Sequence, residues 1–320
     1  MSTNAAASVA RLLIVTLTVF TLAANPTPAQ QSEGLAQEEK ETDQSTASVV
    51  TVVAAGDITC GAHEETTETA CRMGDTAELV RMADPDSVLV LGDAQYEKGT
   101  LDAFRERYEE FWGRFLDITH PVPGNHEYET KDAAGYFAYF GGRTGEPDKS
   151  WYAFDLGAWR LYAIDSDCKF LEGGCGSGSP EYEWLRNDLE HTSTSCILAY
   201  WHHPRFSSGR HGDERKMADI WQLLQEFGAD LVLSGHDHDY ERFVPMNSAG
   251  EPAADGIRQF VVGTGGSTLY DLEDAREGSA VSYDDTFGVL VLELKEHDYD
   301  WRFLATDGEA VRDEGEGECG

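Results

Sequence analysis

Apolar positions fall into short runs separated by polar, glycine-rich stretches, and the runs alternate between two periods. Val49 to Ala55 is a continuous run rich in β-branched residues and reads as a buried strand, as does Ser87 to Leu91. Between them, Ala77 to Met82 reads as helical. Leu101, Phe104, Tyr108, Phe111 and Trp112 recur at helical spacing, which predicts an amphipathic helix over 100–115. Trp151–Leu156 and Trp159–Ile164 flank Gly157 as a hairpin would. Ser179 is suited to cap a helix that opens on Pro180 and runs to Leu189. Cys196–Tyr200 and Asp230–Leu233 read as further strands, with a helix over 213–227 between them that stops at Gly228. Gln259–Val262, Phe287–Leu294 and Trp301–Leu304 close the pattern as strands, and no internal repeat is visible. Strand–helix alternation predicts an α/β domain with parallel pairing at its centre and antiparallel strands added at the end.

The first 47 residues depart from this pattern. Arg11 precedes an apolar run from Leu12 to Ala24, followed by Asn25-Pro26-Thr27-Pro28-Ala29. The run is shorter than the roughly 18 residues that span a bilayer. Residues 1–29 therefore read as a secretory signal peptide, cleaved after Ala29 or Ala24, with an uncleaved anchor as the alternative. No cysteine follows the run, which argues against a lipid anchor there. Residues 30–47 are polar and aperiodic, a disordered linker. One large domain over 48–306 and an acidic C-terminal tail over 307–320 complete the organisation. No later stretch is apolar enough to cross a membrane, so no stable span remains after signal cleavage, and an extracellular or periplasmic location is expected.

Export changes what the cysteines mean. An even number in an exported chain favours disulfides over metal thiolates. Six cysteines allow fifteen connectivities. Short loops favour Cys60–Cys71 and Cys168–Cys175, which leaves Cys196 with Cys319 and would tie down the tail. The charge balance is strongly acidic, 59 Asp plus Glu against 24 Lys plus Arg, for a formal net charge of −35. That excludes nucleic-acid binding through a basic face. It is compatible with adaptation to high salt or with a plain soluble acidic surface.

Five segments share one arrangement, an apolar strand ending in Asp, Asn or His. They are Ala54-Ala55-Gly56-Asp57, Val90-Leu91-Gly92-Asp93, Pro123-Gly124-Asn125-His126-Glu127, Ala199-Tyr200-Trp201-His202-His203-Pro204 and Leu233-Ser234-Gly235-His236-Asp237-His238. In open α/β sheets, sites form beyond the carboxyl ends of the strands, so these five ends would converge on one crevice. Carboxylate, amide oxygen, imidazole and phenol suit Fe, Mn, Zn or Mg rather than thiophilic metals. Alternation in an extended segment would aim His236 and His238 at one place and turn His203 away from His202.

Gly56-Asp57, Gly92-Asp93-x-x-Tyr96, Gly124-Asn125-His126-Glu127, His202-x-Pro204 and Gly235-His236-x-His238-x-Tyr240-Glu241-Arg242 resemble, in order, the motifs of the calcineurin-like metallophosphoesterase superfamily. The Tyr96 spacing and the Tyr-Glu-Arg ending are similar to its purple acid phosphatase branch. The resemblance covers about residues 50 to 266 and implies a four-layer α/β/β/α sandwich, two mixed β-sheets flanked by helices, with the site at one edge. It also implies two metal ions bridged by Asp93. Asp57, Tyr96 and His238 would hold one, and Asn125, His202 and His236 the other. Most members outside the purple branch carry a His two residues after the first Asp. Here that position is Thr59, and Tyr96 takes its place; a phenolate favours Fe(III), paired with divalent Fe, Zn or Mn. His126 is expected to stabilise the phosphate or protonate the leaving oxygen, with His211 assisting. Arg210 could attract phosphate or be an ordinary surface arginine. Gly263-Thr264-Gly265-Gly266 lacks the Lys-Ser/Thr of a phosphate loop and reads as a tight turn near the site.

The expected activity is hydrolysis of a small phosphomonoester by direct attack of a metal-bound hydroxide. Two alternatives are a phosphodiesterase acting on nucleotides or lipid head groups, and a surface protein that binds metal without turnover. The substrate, the metal pair and the oligomeric state are not written in the sequence.

Overall fold

The computed structural model describes residues 49–320, apart from 62, 147–148 and 309–310. The expected signal peptide and linker lie outside the described residues. Along the chain the strands are β1 (Val50–Ala55), β2 (Ser87–Leu91), β3 (Thr119–Val122), β4 (Tyr152–Leu156), β5 (Trp159–Ala163), β6 (Cys196–Tyr200), β7 (Leu231–Ser234), β8 (Tyr240–Phe243), β9 (Arg258–Val262), β10 (Ser279–Tyr283), β11 (Gly288–Leu294), β12 (Asp298–Ala305) and β13 (Asp313–Glu318). They form two sheets, ordered β13-β12-β11-β1-β2-β3 and β10-β8-β9-β7-β6-β5-β4. Parallel pairing runs through β1-β2-β3 in one sheet and β5-β6-β7-β9 in the other, with antiparallel strands outside.

The central strands are buried on both faces, and their alternate residues serve two different cores. In β6, Cys196, Leu198 and Tyr200 pack between the sheets. Ile197 and Ala199 of the same strand pack outward with Leu185, Leu189, Ile220 and Leu224 from helices Pro180–His191 and Ala218–Glu226. β5, β7 and β9 divide in the same way. The other sheet is covered by helix Met73–Ala83 and the helical segment that follows β2. The result is the expected four-layer α/β/β/α sandwich. Ser179 caps its helix as predicted, accepting from Tyr182 N.

Three segments depart from the expected pattern. The helix expected over 100–115 is built from Leu101–Ala103, a wider π turn over Phe104–Tyr108, Glu109–Phe111 and a 3₁₀ segment Gly113–Ile118. The helix expected over 213–227 is a 3₁₀ turn, Arg215–Met217, leading into Ala218–Glu226. The stretch expected as an acidic tail is not outside the domain, because 313–318 is edge strand β13 paired along β12. It reads Asp-Glu-Gly-Glu-Gly-Glu, a composition with little strand propensity. Gly315 lies opposite Trp301 and Gly317 opposite Tyr299, and a Cβ on either would fall within 2.4 Å of those rings. The glycines let the aromatics lie flat across the edge, while Glu314, Glu316 and Glu318 face solvent. All six cysteines are paired, as Cys60–Cys71, Cys168–Cys175 and Cys196–Cys319. Among the described residues, no helix is long and apolar enough to cross a membrane.

Candidate metal centre

The five strand ends meet at one rim of the sandwich, and they bring together all seven residues expected to ligate metal. Asp57 follows β1, Asp93 and Tyr96 follow β2, Asn125 follows β3, His202 follows β6, and His236 and His238 follow β7. Asp57, Asp93 and His236 hold left-handed backbone conformations, with φ of 59°, 45° and 72°. Such a conformation costs about 1–3 kcal/mol for a residue with a side chain and persists where the surroundings over-determine it. Here the clamp is visible: Asp57 Oδ2 accepts from His236 N at 2.8 Å, and Asp93 Oδ1 accepts from His126 N at 2.8 Å. Gly124 must be glycine, because a Cβ would sit 2.3 Å from Asp93 Oδ1.

The donor atoms fall into two groups. In the first, Tyr96 Oη lies 2.8 Å from Asp57 Oδ1, 3.0 Å from Asp93 Oδ2 and 2.8 Å from His238 Nε2, and His238 Nε2 lies 3.2 Å from Asp57 Oδ1. In the second, His202 Nε2 lies 3.2 Å from Asp93 Oδ2, 3.2 Å from Asn125 Oδ1 and 3.1 Å from His236 Nδ1. Asp93 Oδ2 belongs to both. Ligands held about 2.0–2.2 Å from one cation with octahedral angles stand about 2.8–3.1 Å from each other. The spacing in each group matches that edge.

The protonation chemistry points the same way. His202 Nδ1 donates to Leu91 O at 2.9 Å, which leaves the Nε2 lone pair facing a carboxylate, an amide oxygen and another imidazole. Such a set repels itself unless positive charge enters it. The positive charge these side chains can supply is a proton on His202. Burial opposes that proton, yet Asp93 outweighs it and pushes the pKa up to about 10. Burial alone would raise the Asp93 carboxyl, and the neighbouring His202 and His126 hold it well below the usual range. Burial, with Asp57 and Asp93 adding to it, pushes the Tyr96 phenol well above its ordinary value. A cation at that phenol would reverse the balance. Thr59 takes no part, since its hydroxyl lies 2.6 Å from Ala94 O and 2.8 Å from Gln95 Oε1.

Around this cluster stand Glu127, to which the motifs assigned no role, and the histidines that flank the donors. Glu127 accepts from Asp93 N, Gly124 N and Gln95 N at 2.9, 2.8 and 3.2 Å, bolting the loops after β2 and β3 together. His203 does not turn away. Its ring centroid is 4.3 Å from that of His236, and its Nδ1 meets Ser166 Oγ at 2.9 Å. Strand alternation had stopped applying, because β6 ends at Tyr200. His126 Nδ1 donates to Glu97 O at 2.6 Å, and its Nε2 stands 4.0 Å from Asp93 Oδ2. His211 Nδ1 bonds Asp237 Oδ1 at 2.9 Å, with its ring 4.3 Å from His236. Arg242, from the Tyr-Glu-Arg ending, pairs with Asp313 of β13 rather than joining the cluster.

A sixth strand end, after β5, carries Asp165 and Asp167, both buried. Burial and the charge of Asp165 push the Asp167 carboxyl up to about 8. Its folded pKa is therefore raised above the unfolded value near 3.9. The contribution to stability is fully present below about pH 4 and is lost as pH rises towards 8. For metal-free protein, the thermal midpoint is expected to fall over that window, and Asp167→Asn to flatten the fall. Parallel midpoint–pH curves for the two proteins would refute this.

The sequence pattern of the calcineurin-like phosphoesterase family matches residues 50–240. The chain belongs to that family. Purple acid phosphatase 15 of Arabidopsis thaliana is 28% identical over 195 residues, covering 49% of this chain and 36% of that protein. Acid phosphatase type 7 of Homo sapiens is 28% identical over 189 residues, covering 50% of this chain and 41% of that protein. The matched region is thus about two fifths of each relative's length. Among solved structures, purple acid phosphatase PPD1 from yellow lupin (Lupinus luteus) seeds aligns with a TM-score of 0.71 at 19% identity, over 84% of this chain and 54% of that one. That likeness is one of fold. As a calcineurin-like phosphoesterase of purple acid phosphatase-like type, the chain carries its candidate centre within the family match.

Proposed function

We propose that this phosphoesterase holds two cations and hydrolyses phosphomonoesters outside the cytoplasm. The observation that carries the reading is one atom, Asp93 Oδ2, common to both donor groups. Asp57, Tyr96 and His238 would hold the first cation, Asn125, His202 and His236 the second, and Asp93 both. The oxygen-rich first set with its phenol suits Fe(III), and the imidazole-rich second set suits divalent Fe, Zn or Mn. When bound, such a pair supplies Lewis acidity to phosphoryl oxygens and lowers the pKa of a nearby water. The three disulfides support an oxidising compartment.

The chain's own residues supply the proton transfers. His126 fixes its ring by donating Nδ1–H to Glu97 O, so a proton at Nε2 is directed towards the centre and the leaving oxygen. His211 is oriented likewise by Asp237. Burial alone would raise the Asp237 carboxyl, but bonds from His211 and Ser207 keep it lowered. His126→Ala is expected to cut turnover of an alkyl phosphate by about 10²–10⁴, the usual worth of a general acid. Turnover of p-nitrophenyl phosphate, whose leaving group needs no proton, should fall far less. Equal losses would remove His126 from the acid role.

The reading is tested on purified protein by metal analysis with an absorption spectrum. Two metal ions per chain and a visible band from tyrosinate on ferric iron are expected, and Tyr96→Phe should remove the band. Two bound divalent ions with no band would overturn the iron assignment. Failure of metal-loaded protein to hydrolyse p-nitrophenyl phosphate would overturn the phosphatase reading. A preference for bis(p-nitrophenyl) phosphate would make it a diesterase.

A further inference from the structure

We infer that Arg210 is a second anion-binding position at the mouth of the centre, placed to take a further phosphate carried by the leaving group of the substrate. Arg210 stands at the tip of a tight turn closed by Gly212 N donating to Gly209 O at 3.2 Å. The base of that loop is fastened on several sides. His211 N donates to Asp237 Oδ1 at 2.8 Å, Ser208 N to Glu241 Oε2 at 2.8 Å, and Arg276 N to Ser208 Oγ at 2.8 Å. The turn is therefore held, and the Arg210 side chain projects from a fixed base.

Its guanidinium lies 5.2 Å from the ring centroid of Tyr270. Tyr270 in turn stacks flat on His238, with centroids 3.9 Å apart and planes within 7°. Its backbone N–H is tied to His238 O at 3.1 Å. Arg210 is thus one aromatic ring removed from a donor of the first group. The adjacent His211 lies against His236 of the second. Both residues are exposed, so a phosphoester bound at the donors with its alcohol portion on this side would meet them.

Charge and place together mark this arginine. In a chain with a net charge of −35, two basic residues near the loop are ion-paired, Arg276 with Asp213 at 2.8 Å and Lys216 with Glu214 at 3.5 Å, and Arg205 lies half-buried against Phe206, whereas Arg210 is exposed and rests on the ring that stacks on His238. Among the described residues, Arg210 has no carboxylate partner, and its contact is the Tyr270 face. A guanidinium with its donor fork free and its plane carried on an aromatic ring is suited to bidentate phosphate recognition. The chemistry selects substrates with two phosphate groups, either adjacent as in a phosphoanhydride or spaced as in a bisphosphate. The inference draws the identity of the scissile group from the proposed phosphatase reading, but the anion site itself does not depend on turnover.

The test measures binding, so it survives an inactive enzyme. Methylphosphonate, methylenediphosphonate and propane-1,3-diphosphonate are titrated calorimetrically into metal-loaded wild type, Arg210→Ala and Arg210→Lys, with metal content checked after each run. Arg210→Ala should weaken at least one diphosphonate by about tenfold, the worth of a charged hydrogen bond, and methylphosphonate by less than twofold. Arg210→Lys should keep part of the gain as a point charge. The diphosphonate that shows the loss identifies adjacent or spaced phosphates. Equal effects on all three ligands, or none on either diphosphonate, would overturn the inference. An Arg210-dependent diphosphonate site on a protein that hydrolyses no ester would leave it standing while removing the phosphatase reading.

Discussion

Asp93→Ala is expected to empty both halves of the centre at once and to lower kcat/KM by about 10³-fold or more. Removing a single preorganised donor from an active site costs about 10²–10³. This substitution removes the one oxygen that touches both donor groups, at 3.0 Å from Tyr96 Oη and 3.2 Å from His202 Nε2. Asp57→Ala should behave differently. Asp57 touches the donor atoms of Tyr96 and His238, and it meets the second group only through the backbone N–H of His236, so one metal should be lost and the other kept more weakly. Metal stoichiometry, with circular dichroism to confirm folding, separates the two variants. An Asp93→Ala protein that retains two metals would refute the bridging role.

The second large effect concerns stability rather than chemistry. Replacing Cys196 and Cys319 together by Ser should destabilise the fold by about 3–5 kcal/mol, an expectation from closing so long a loop. The sequence separation is 123 residues, against 11 and 7 for the other two bonds. For a domain of this size the midpoint should fall by on the order of 10 °C. Electrostatics adds to the loss. Along β12 and β13, Asp300 stands opposite Glu316 and Asp298 opposite Glu318, and like charges directly opposite are destabilising. Lys295, at 2.7 Å from Asp298 and 2.8 Å from Asp300, offsets part of this. Without the disulfide, β13 should detach at low ionic strength and re-pair at about 1 M salt, where the Debye length is about 3 Å. Hydrogen exchange along 313–318 reads this directly. Protection unchanged by the double substitution would refute it.

What could be read from the sequence, and what could not, follows from these same forces. Central strands such as β2 and β6 are buried on both faces, so they announce themselves as unbroken apolar runs. The residues closing five of them are the chemically informative ones, and the fold brings all seven expected donors to one rim. Edge strands β10 and β13 are not visible in the sequence, because each has little to bury, whereas edge strand β4 shows through its aromatic residues. β10 is Ser-Ala-Val-Ser-Tyr, and β13 has no strand-forming residue at all, being held by Trp301 and Tyr299 across from it and by the bond of the adjoining Cys319 to Cys196, far away in sequence. His203 was misplaced because the rule of alternation ends where the strand does. Asp165 and Asp167 had a visible signal, an apolar strand ending in carboxylates, but no neighbouring Gly or His to mark it.

The solvent-facing glutamates of β13 have one more consequence. Ionised, they deter a second molecule from adding its own strand to that free backbone edge. Replaced together by glutamine, they would leave a flat, glycine-lined ribbon backed by aromatic rings. Self-association through this ribbon, rather than unfolding, should then set the concentration up to which such a variant stays dispersed.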